Sequence, residues 1–324
     1  MPTRLPAEWE EQDYIMLVFP TPNSDWKHSI YDIQKSYLAL IKTIIKYQKC
    51  IVACDEISKL SNILPKSKNI KLLQIETDDT WIRDFGGISI FQDDKLKILN
   101  FRFNAWGEKF PHTKDNLFNA KLKKIGFYKA PMKDINFVLE GGSIDTNGKG
   151  VLLSTQNCIF NQNRNPKFSK NQILDILKKS LGVEQIIVLQ NGSLIGDDTD
   201  SHIDTLARFI DEESIAYVKC YDKSDKHFES LSKMEKELKK TKFHLVPLPL
   251  PSPKYFLGKR LPATYINFIF INGALIVPTY KDKFDKIALD ILSNFFPDRD
   301  VIGVDASIFI REHGSLHCAT MNYY

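Results

Sequence analysis

Apolar residues recur at helical spacing in five stretches of the chain. The clearest joins Ile30, Ile33, Tyr37, Ile41, Ile44 and Ile45, most of them three or four positions apart and so on one face of a helix. A weaker pattern covers Asn116 to Ile125. A third joins Ile173, Ile176, Leu177 and Leu181, and the Ser169 and Gln172 that precede it predict a capping box. The fourth runs through Phe228, Leu231, Met234 and Leu238, the fifth through Phe284, Ile287, Ile291 and Phe295. Between them lie runs rich in β-branched and aromatic residues, such as YIMLVF, KCIVAC, GISIF, LKILNF, INFVLE, GVLLST, QIIVLQ, SIAYVK and FHLVPL, which read as strands. The longest apolar stretch, YINFIFINGALIVPTY, is broken at Asn272-Gly273, a hairpin signal, so it reads as two strands and not as a membrane span. Helix followed by strand recurs at fairly even intervals, the mark of a repeated unit. With no linker or low-complexity stretch, an α/β fold in one domain, residues 1–324, is expected.

Polar clusters follow four of the five helix–strand units: ETDDTWIRD, EGGSID, GDDTDSHID and HGSLHC. The remaining unit leads into PLPLPSP. Units arranged around an axis would bring the titratable groups of those four clusters to one centre.

Composition narrows what that centre can serve. Hydrophobic residues make up 43% and charged residues 26% of the 324, as in ordinary globular proteins. Lys and Arg number 44 against 40 Asp and Glu, a formal charge of +4 spread along the chain, which does not suggest nucleic acid. The five cysteines, odd in number and without a CxxC pair, argue against a disulfide framework or a zinc knuckle and fit a reducing cytoplasm. MPTRLPAEWEEQDY lacks the apolar core of a signal peptide.

The clusters carry the chemistry. In SHID, His202 and Asp204 are two apart and would share a face on a strand, with histidine suited to moving protons near neutral pH. A hydrogen-bonded histidine beside a solubilising aspartate is the plainer reading, and a metal site is weakened by the absence of further histidines at ligand spacing. In TDDTWIRDFGG, Trp81 reads as core and Arg83 with a carboxylate as an ion pair, yet Asp84 falls at the end of a β-rich run just ahead of two glycines, where backbone can approach a ligand. Glu140 stands likewise before Gly141-Gly142, a pattern that alone also fits a turn with a solvated glutamate. Cys318 follows His317 at a position where backbone commonly frays. Lone cysteines are more often small buried hydrophobes, and Cys158 and Cys220, with no acid–base group nearby in sequence, fit that description. One thiol, one histidine and several carboxylates suit a planar cation, because carboxylates accept paired hydrogen bonds from a guanidinium while a thiolate attacks its carbon.

These blocks resemble the agmatine deiminase family of the guanidine-modifying, or pentein, superfamily, over nearly the whole chain. MPTRLPAEWEEQDYIMLVFP is similar to the family's opening, DDTWIRDFGG to its D-x-W-x-R-D-x-G-P, and LEGGSID, NQNRNPKFS and GDDTDSHIDTLARF to its central blocks; PATYINFIFINGALIVPTYKD and FPDRDVIGV are similar to later ones. The resemblance implies a five-bladed α/β propeller of ββαβ-type modules around a pseudo-fivefold axis. It implies Cys318 as nucleophile, His202 as general acid and base, Asp84 and Asp204 as guanidinium clamps and Glu140 as the group orienting His202. Asp198 would meet the substrate's distal amine and Trp81 would line the pocket. The implied reaction converts agmatine to N-carbamoylputrescine and ammonia through a cysteine thiouronium, in putrescine and polyamine biosynthesis, with no metal or organic cofactor and a small guanidinium molecule as partner. Neither nucleic acid nor a membrane is expected as partner, and a homo-oligomer is left open. A deiminase of free or peptide-terminal arginine, and a guanidinium-binding pentein without turnover, are the alternatives. The chain departs from the family pattern in three places: HGSLHC stands for Gly-Gly-Gly-Asn-Ile-His-Cys, Ser201 for a glycine and Gly87 for a proline.

Overall fold

The computed structural model describes residues 3–324. The five helices form where the apolar spacing predicts them: Ile30–Ile44, Phe118–Lys124, Lys170–Leu181, Phe228–Leu238 and Asp285–Phe295. The first buries Ile33, Tyr37, Leu40, Ile41 and Ile44 along one stripe. The third starts with the predicted capping box, Ser169 accepting from the Gln172 backbone while Gln172 accepts from the Ser169 backbone, and it ends on Gly182 in the left-handed conformation at φ 68°. The weak pattern near residue 120 is split into two short helices, Thr113–Asn116 and Phe118–Lys124.

Each helix connects strands in the same order: an antiparallel pair, the helix, then a strand added in parallel. Ile88–Gln92 and Lys95–Arg102 are followed by Met132–Val138. Ile144–Thr146 and Val151–Thr155 are followed by Gln185–Leu189, and Ala207–Phe209 and Ser214–Lys219 by His244–Pro249. Ile269–Ile271 and Ala274–Thr279, joined at Asn272-Gly273 as the hairpin signal predicts, are followed by Asp300–Asp305. The fifth unit joins distant parts of the chain, since Thr320–Tyr323 pairs antiparallel with Tyr14–Val18, which continues through the first helix to Lys49–Cys54 and then Ile70–Gln74.

The inner strands read as unbroken apolar runs because they are covered on both faces, as in KCIVAC, where only Lys49 is exposed. The sequence pattern misses Ile70–Gln74 and Asp300–Asp305 for the opposite reason: they are outer strands, with most side chains partly or fully exposed and their short apolar runs interrupted by charged residues or glycine. No helix of the described residues is long and apolar enough to cross a membrane.

The end of the third helix is held against the short strand Thr3–Arg4, where a Cβ on Gly182 would lie 1.9 Å from the Thr3 carbonyl oxygen. Gly182→Ala is therefore expected to lower the free energy of urea unfolding by more than Ser169→Ala, which removes one capping bond and costs about 1 kcal/mol. Equal losses for the two variants in urea titrations would show that the Thr3 contact yields without cost.

Candidate active site

The polar clusters between sheets converge on one buried centre. Cys318 sits in a turn just before Thr320–Tyr323, where Thr320 N donates to His317 O and Ala319 N to Ser315 O. Asn267 fixes that turn: its Oδ1 accepts from the backbone of His317 at 2.9 Å and of Cys318 at 3.3 Å, and its Nδ2 lies 3.3 Å from Cys318 Sγ. Sequence reasoning missed Asn267, which is embedded in the apolar run YINFIFI with no polar cluster to mark it.

Asp84 does not end a strand. It lies in the short helix Ile82–Phe85, and its two oxygens accept from Gly142 N and from the indole Nε1 of Trp106, each at 2.9 Å. Gly142 is required at this approach, since a Cβ there would stand 2.7 Å from His202 Nδ1 and 2.9 Å from Asp84 Oδ1. The strand expected for SHID is also absent: His202 precedes a single 3-10 turn, Ile203–Thr205, that carries Asp204. A tight turn brings the two side chains to one site as a strand face would have done.

Asp204 is fully buried; its Oδ2 accepts from His317 Nδ1 at 2.7 Å and lies 3.7 Å from Cys318 Sγ. Its Oδ1 has no partner, and neither ring nitrogen of His202 has one, although Asp84 Oδ1 and Glu140 Oε2 stand 3.6 Å from Nδ1 and Nε2. Buried polar atoms without partners are rare in folded proteins and here they face the same space. Glu140 is buried, accepting from Arg164 Nε on both oxygens at 2.9 and 2.8 Å. Cys158 corrects the sequence reading, because its Sγ is 3.6 Å from Glu140 Oε2 and it belongs with Glu140 and His202 to one buried cluster. The fold, not the local sequence, supplies its acid–base neighbours.

Burial and mutual repulsion set the electrostatics. Burial, then Asp204 and Asp84, push the Cys318 thiol well above its ordinary range. Burial alone would lower His202, but Asp84, Cys158 and Glu140 outweigh it and hold the imidazole protonated well above its usual range. Burial raises Asp84, while in Glu140 the Arg164 guanidinium overcomes burial and brings the carboxyl down to about 2. His317 similarly overcomes burial to lower Asp204.

A cavity of about 100 Å³ opens from this centre. Trp81, Trp106 and Phe110 supply its apolar walls, and Asp25, Asp79, Asp197, Asp198 and Glu312 its far end; no lysine or arginine lines it. Burial first, then neighbouring acids, raises Asp79 to about 7, and burial with Asp197 raises Asp198 to about 6 despite His313 and Lys109 nearby. Of the residues the sequence pointed to, Cys318, His202, Asp84, Asp204, Asp198 and Trp81 line this cavity, and Glu140 stands beside His202 without lining it. Asn267, Trp106 and Arg164 are the additions.

The departures from the family pattern have physical readings. Ser201 and His313 occupy positive φ, 68° and 67°, the conformation a glycine takes without strain. The Ser201 backbone N–H is held by Asp197 Oδ2 at 2.7 Å, and His313 Nδ1 by Gly196 O at 2.5 Å. Gly87 donates its N–H to the Tyr323 hydroxyl at 3.1 Å, a bond that a proline could not make.

If Asp84 raises the thiol by its charge, Asp84→Asn should ionise more easily. Alkylation of Cys318 by iodoacetamide, followed by peptide mass spectrometry without any ligand, is expected to be slow at pH 8 and still rising beyond pH 9 in the natural sequence. It should be faster at pH 8 in Asp84→Asn. A slower or unchanged rate in the variant would show that the thiol does not feel that carboxylate.

Comparison with known proteins follows the geometry. The model of the family described as Porphyromonas-type peptidyl-arginine deiminase matches residues 4–323. The chain is 30% identical to an agmatine deiminase of Pseudomonas aeruginosa, over 98% of this chain and 94% of that protein. It superposes with a TM-score of 0.97 and 48% identity, over 99% of this chain and 96% of the other, on a C. jejuni agmatine deiminase with substrate bound and a cysteine-to-serine substitution. A dimethylarginine dimethylaminohydrolase, 14% identical, shares the mixed α/β fold with a TM-score of 0.56 over 96% of this chain and 100% of that one.

Proposed function

The chain belongs to the Porphyromonas-type peptidyl-arginine deiminase family and, within it, to the agmatine deiminases, and we propose that it hydrolyses agmatine to N-carbamoylputrescine and ammonia. The observation that carries this is the cavity's charge: a thiol and two carboxylates at one end, five carboxyl groups with His313 at the other, and no lysine or arginine in the lining. Agmatine presents a cation at each end and suits both. Free arginine adds a carboxylate that would be pressed against Asp198 and its neighbouring acids with no arginine or lysine in the lining to receive it, a like-charge contact that costs several kcal/mol.

Asp84 and Asp204 receive the guanidinium, and Trp81 walls the pocket. The substrate's charge cancels the two carboxylates that keep Cys318 protonated, so the thiol gives its proton up to solvent as the cation binds, and the thiolate attacks the guanidinium carbon. The imidazolium of His202 gives its proton to the departing nitrogen, ammonia leaves, and the carbon stays bonded to Sγ as an S-alkylthiouronium. A water oxygen then attacks the same carbon while His202 takes the water proton, and the C–S bond breaks to return the thiolate and release the ureido product. Glu140, fixed by Arg164, faces Nε2 of His202 and orients the ring. No step calls on a metal or organic cofactor.

The five repeated units, with the last closed by pairing of Thr320–Tyr323 on Tyr14–Val18, support a single five-bladed propeller domain whose axis passes through this centre. A product that is a putrescine precursor places the reaction in polyamine biosynthesis, and five free thiols suit a reducing cytoplasm.

Cys318→Ser should abolish ammonia release while circular dichroism stays unchanged; retained turnover would remove Cys318 from the chemistry. Agmatine should be used with a kcat/KM at least about 10²-fold above that of arginine, the ratio that roughly 2.7 kcal/mol gives. Asp198→Asn should raise KM for agmatine more than it lowers kcat, because the group binds a part of the substrate remote from the reacting carbon. Comparable efficiencies on agmatine and arginine would promote an arginine deiminase instead.

A further inference from the structure

The acid–base scheme leaves two buried histidines unused, His227 and His317, and of these His317 touches a carboxylate of the site. His317 lies behind Asp204, between the cavity and the opposite side of the molecule. Its Nδ1 is 2.7 Å from Asp204 Oδ2 and its Nε2 is 2.7 Å from Glu8 Oε2. Two carboxylate acceptors on one ring call for an N–H on both nitrogens, which only the imidazolium has. The backbone that carries the ring is fixed as well, the Asn267 side chain accepting from its N–H at 2.9 Å and Arg83 Nε donating to its carbonyl at 3.3 Å.

The charges alternate outward from the site. Glu8 accepts from Arg208 Nη2 at 2.5 Å and stands 3.9 Å from Arg83, and Arg208 Nε donates to Asp145 at 3.1 Å. On the other side, Asp204 faces Cys318, His202 and Asp84, of which Asp84 opposes its ionisation and His202 favours it. The His317 contact occupies Oδ2 of Asp204, while Oδ1 is the oxygen left without a partner.

We infer that His317 is a positioning residue for the reaction: as an imidazolium clamped between Glu8 and Asp204, it keeps Asp204 ionised and turns its free Oδ1 toward the substrate's guanidinium. The inference rests on the agmatine reading above and extends it to a residue that touches no substrate. Glu8 serves as the outer half of the clamp, tied in turn to Arg208.

The test separates charge from mere packing. In His317→Gln, Asp204 loses one of its cationic partners and holds a proton more tightly, and agmatine must then displace that proton. The KM for agmatine is expected to be about tenfold or more above the natural enzyme's at pH 7, rising as pH falls from 8.5 to 6.5. At pH 8.5 kcat should change by less than about threefold, since bound agmatine itself restores the ionised carboxylate. A KM that follows the natural enzyme's pH profile, or equal losses in kcat and KM at every pH, would overturn the inference. Nitrogen NMR of the natural protein labelled with ¹⁵N-histidine tests it independently of activity and of the variant's folding. With a carboxylate 2.7 Å from each ring nitrogen, His317 should show both nitrogens protonated under the assay conditions, and a neutral ring there would also overturn it. A natural enzyme that released no ammonia from agmatine would overturn the proposed function, and the nitrogen spectrum would still decide on His317.

Discussion

A thiol that has to become an anion is buried against two carboxylates, and the arrangement of the interior follows from making that charge tolerable. Two like charges about 4 Å apart repel by roughly 4 kcal/mol even at an effective dielectric near 20. Each acid accordingly has its own support: Gly142 N–H and the Trp106 indole for Asp84, His317 for Asp204, Arg164 for Glu140 and Arg208 for Glu8. Arg164 does more than pair one acid, since its Nη1 donates to Asp200 at 2.7 Å and its Nη2 to Thr199 O at 2.9 Å. One guanidinium thus ties the group beside His202 to the loop that carries Asp198. Asp79 and Asp198 are raised in spite of their partners, the Thr80 N–H for the first and His313 and Lys109 for the second, and a second cationic group of the substrate would supply the charge still missing there.

Much of this was legible in the sequence, for identifiable reasons. Helices with a clean apolar stripe, such as Ile30–Ile44, and inner strands covered on both faces, such as Lys49–Cys54, leave periodic or unbroken apolar patterns. Ile70–Gln74 and Asp300–Asp305 went unread because they are outer strands whose short apolar runs are interrupted by charged residues or glycine, whereas the outer strand Gln185–Leu189 keeps an unbroken IIVL and was read. The reacting groups were legible because they sit in polar clusters between apolar runs, although the local structure expected for Asp84 and His202 was strand and the observed structure is short helix and turn. Cys158 and Asn267 were not legible. Their neighbours in sequence are unremarkable, and only the packing of separate units puts one beside His202 and the other beside Cys318.

The same holds for the backbone around Trp106. Ala105, Trp106, Gly107 and Glu108 all have positive φ, from 47° to 93°, a left-handed turn that costs about 1–2 kcal/mol for each residue with a side chain. Asn104 stabilises it by accepting from Gly107 N and donating to Asn163 O. The turn delivers the indole N–H to Asp84, and the next residues, Lys109 and Phe110, reach the Asp198–Asp200 loop and the cavity wall. A strained segment thus touches both ends of the cavity.

The pairing of Thr320–Tyr323 with Tyr14–Val18 matters for time as well as for shape. Thr320 faces Leu17 across the sheet, so the thiol is placed by a contact between segments that are far apart along the chain, whereas the antiparallel pair and helix of each remaining unit are close in sequence. Non-local pairings of that kind form late, because the entropy of closing a long loop is lost before the contact repays it. During folding, the carboxylates and His202 can therefore assemble while Cys318 is still absent. In the finished molecule, fraying of that one short strand would withdraw Cys318 together with the His317 that holds Asp204, so a local opening far smaller than global unfolding would disable the site.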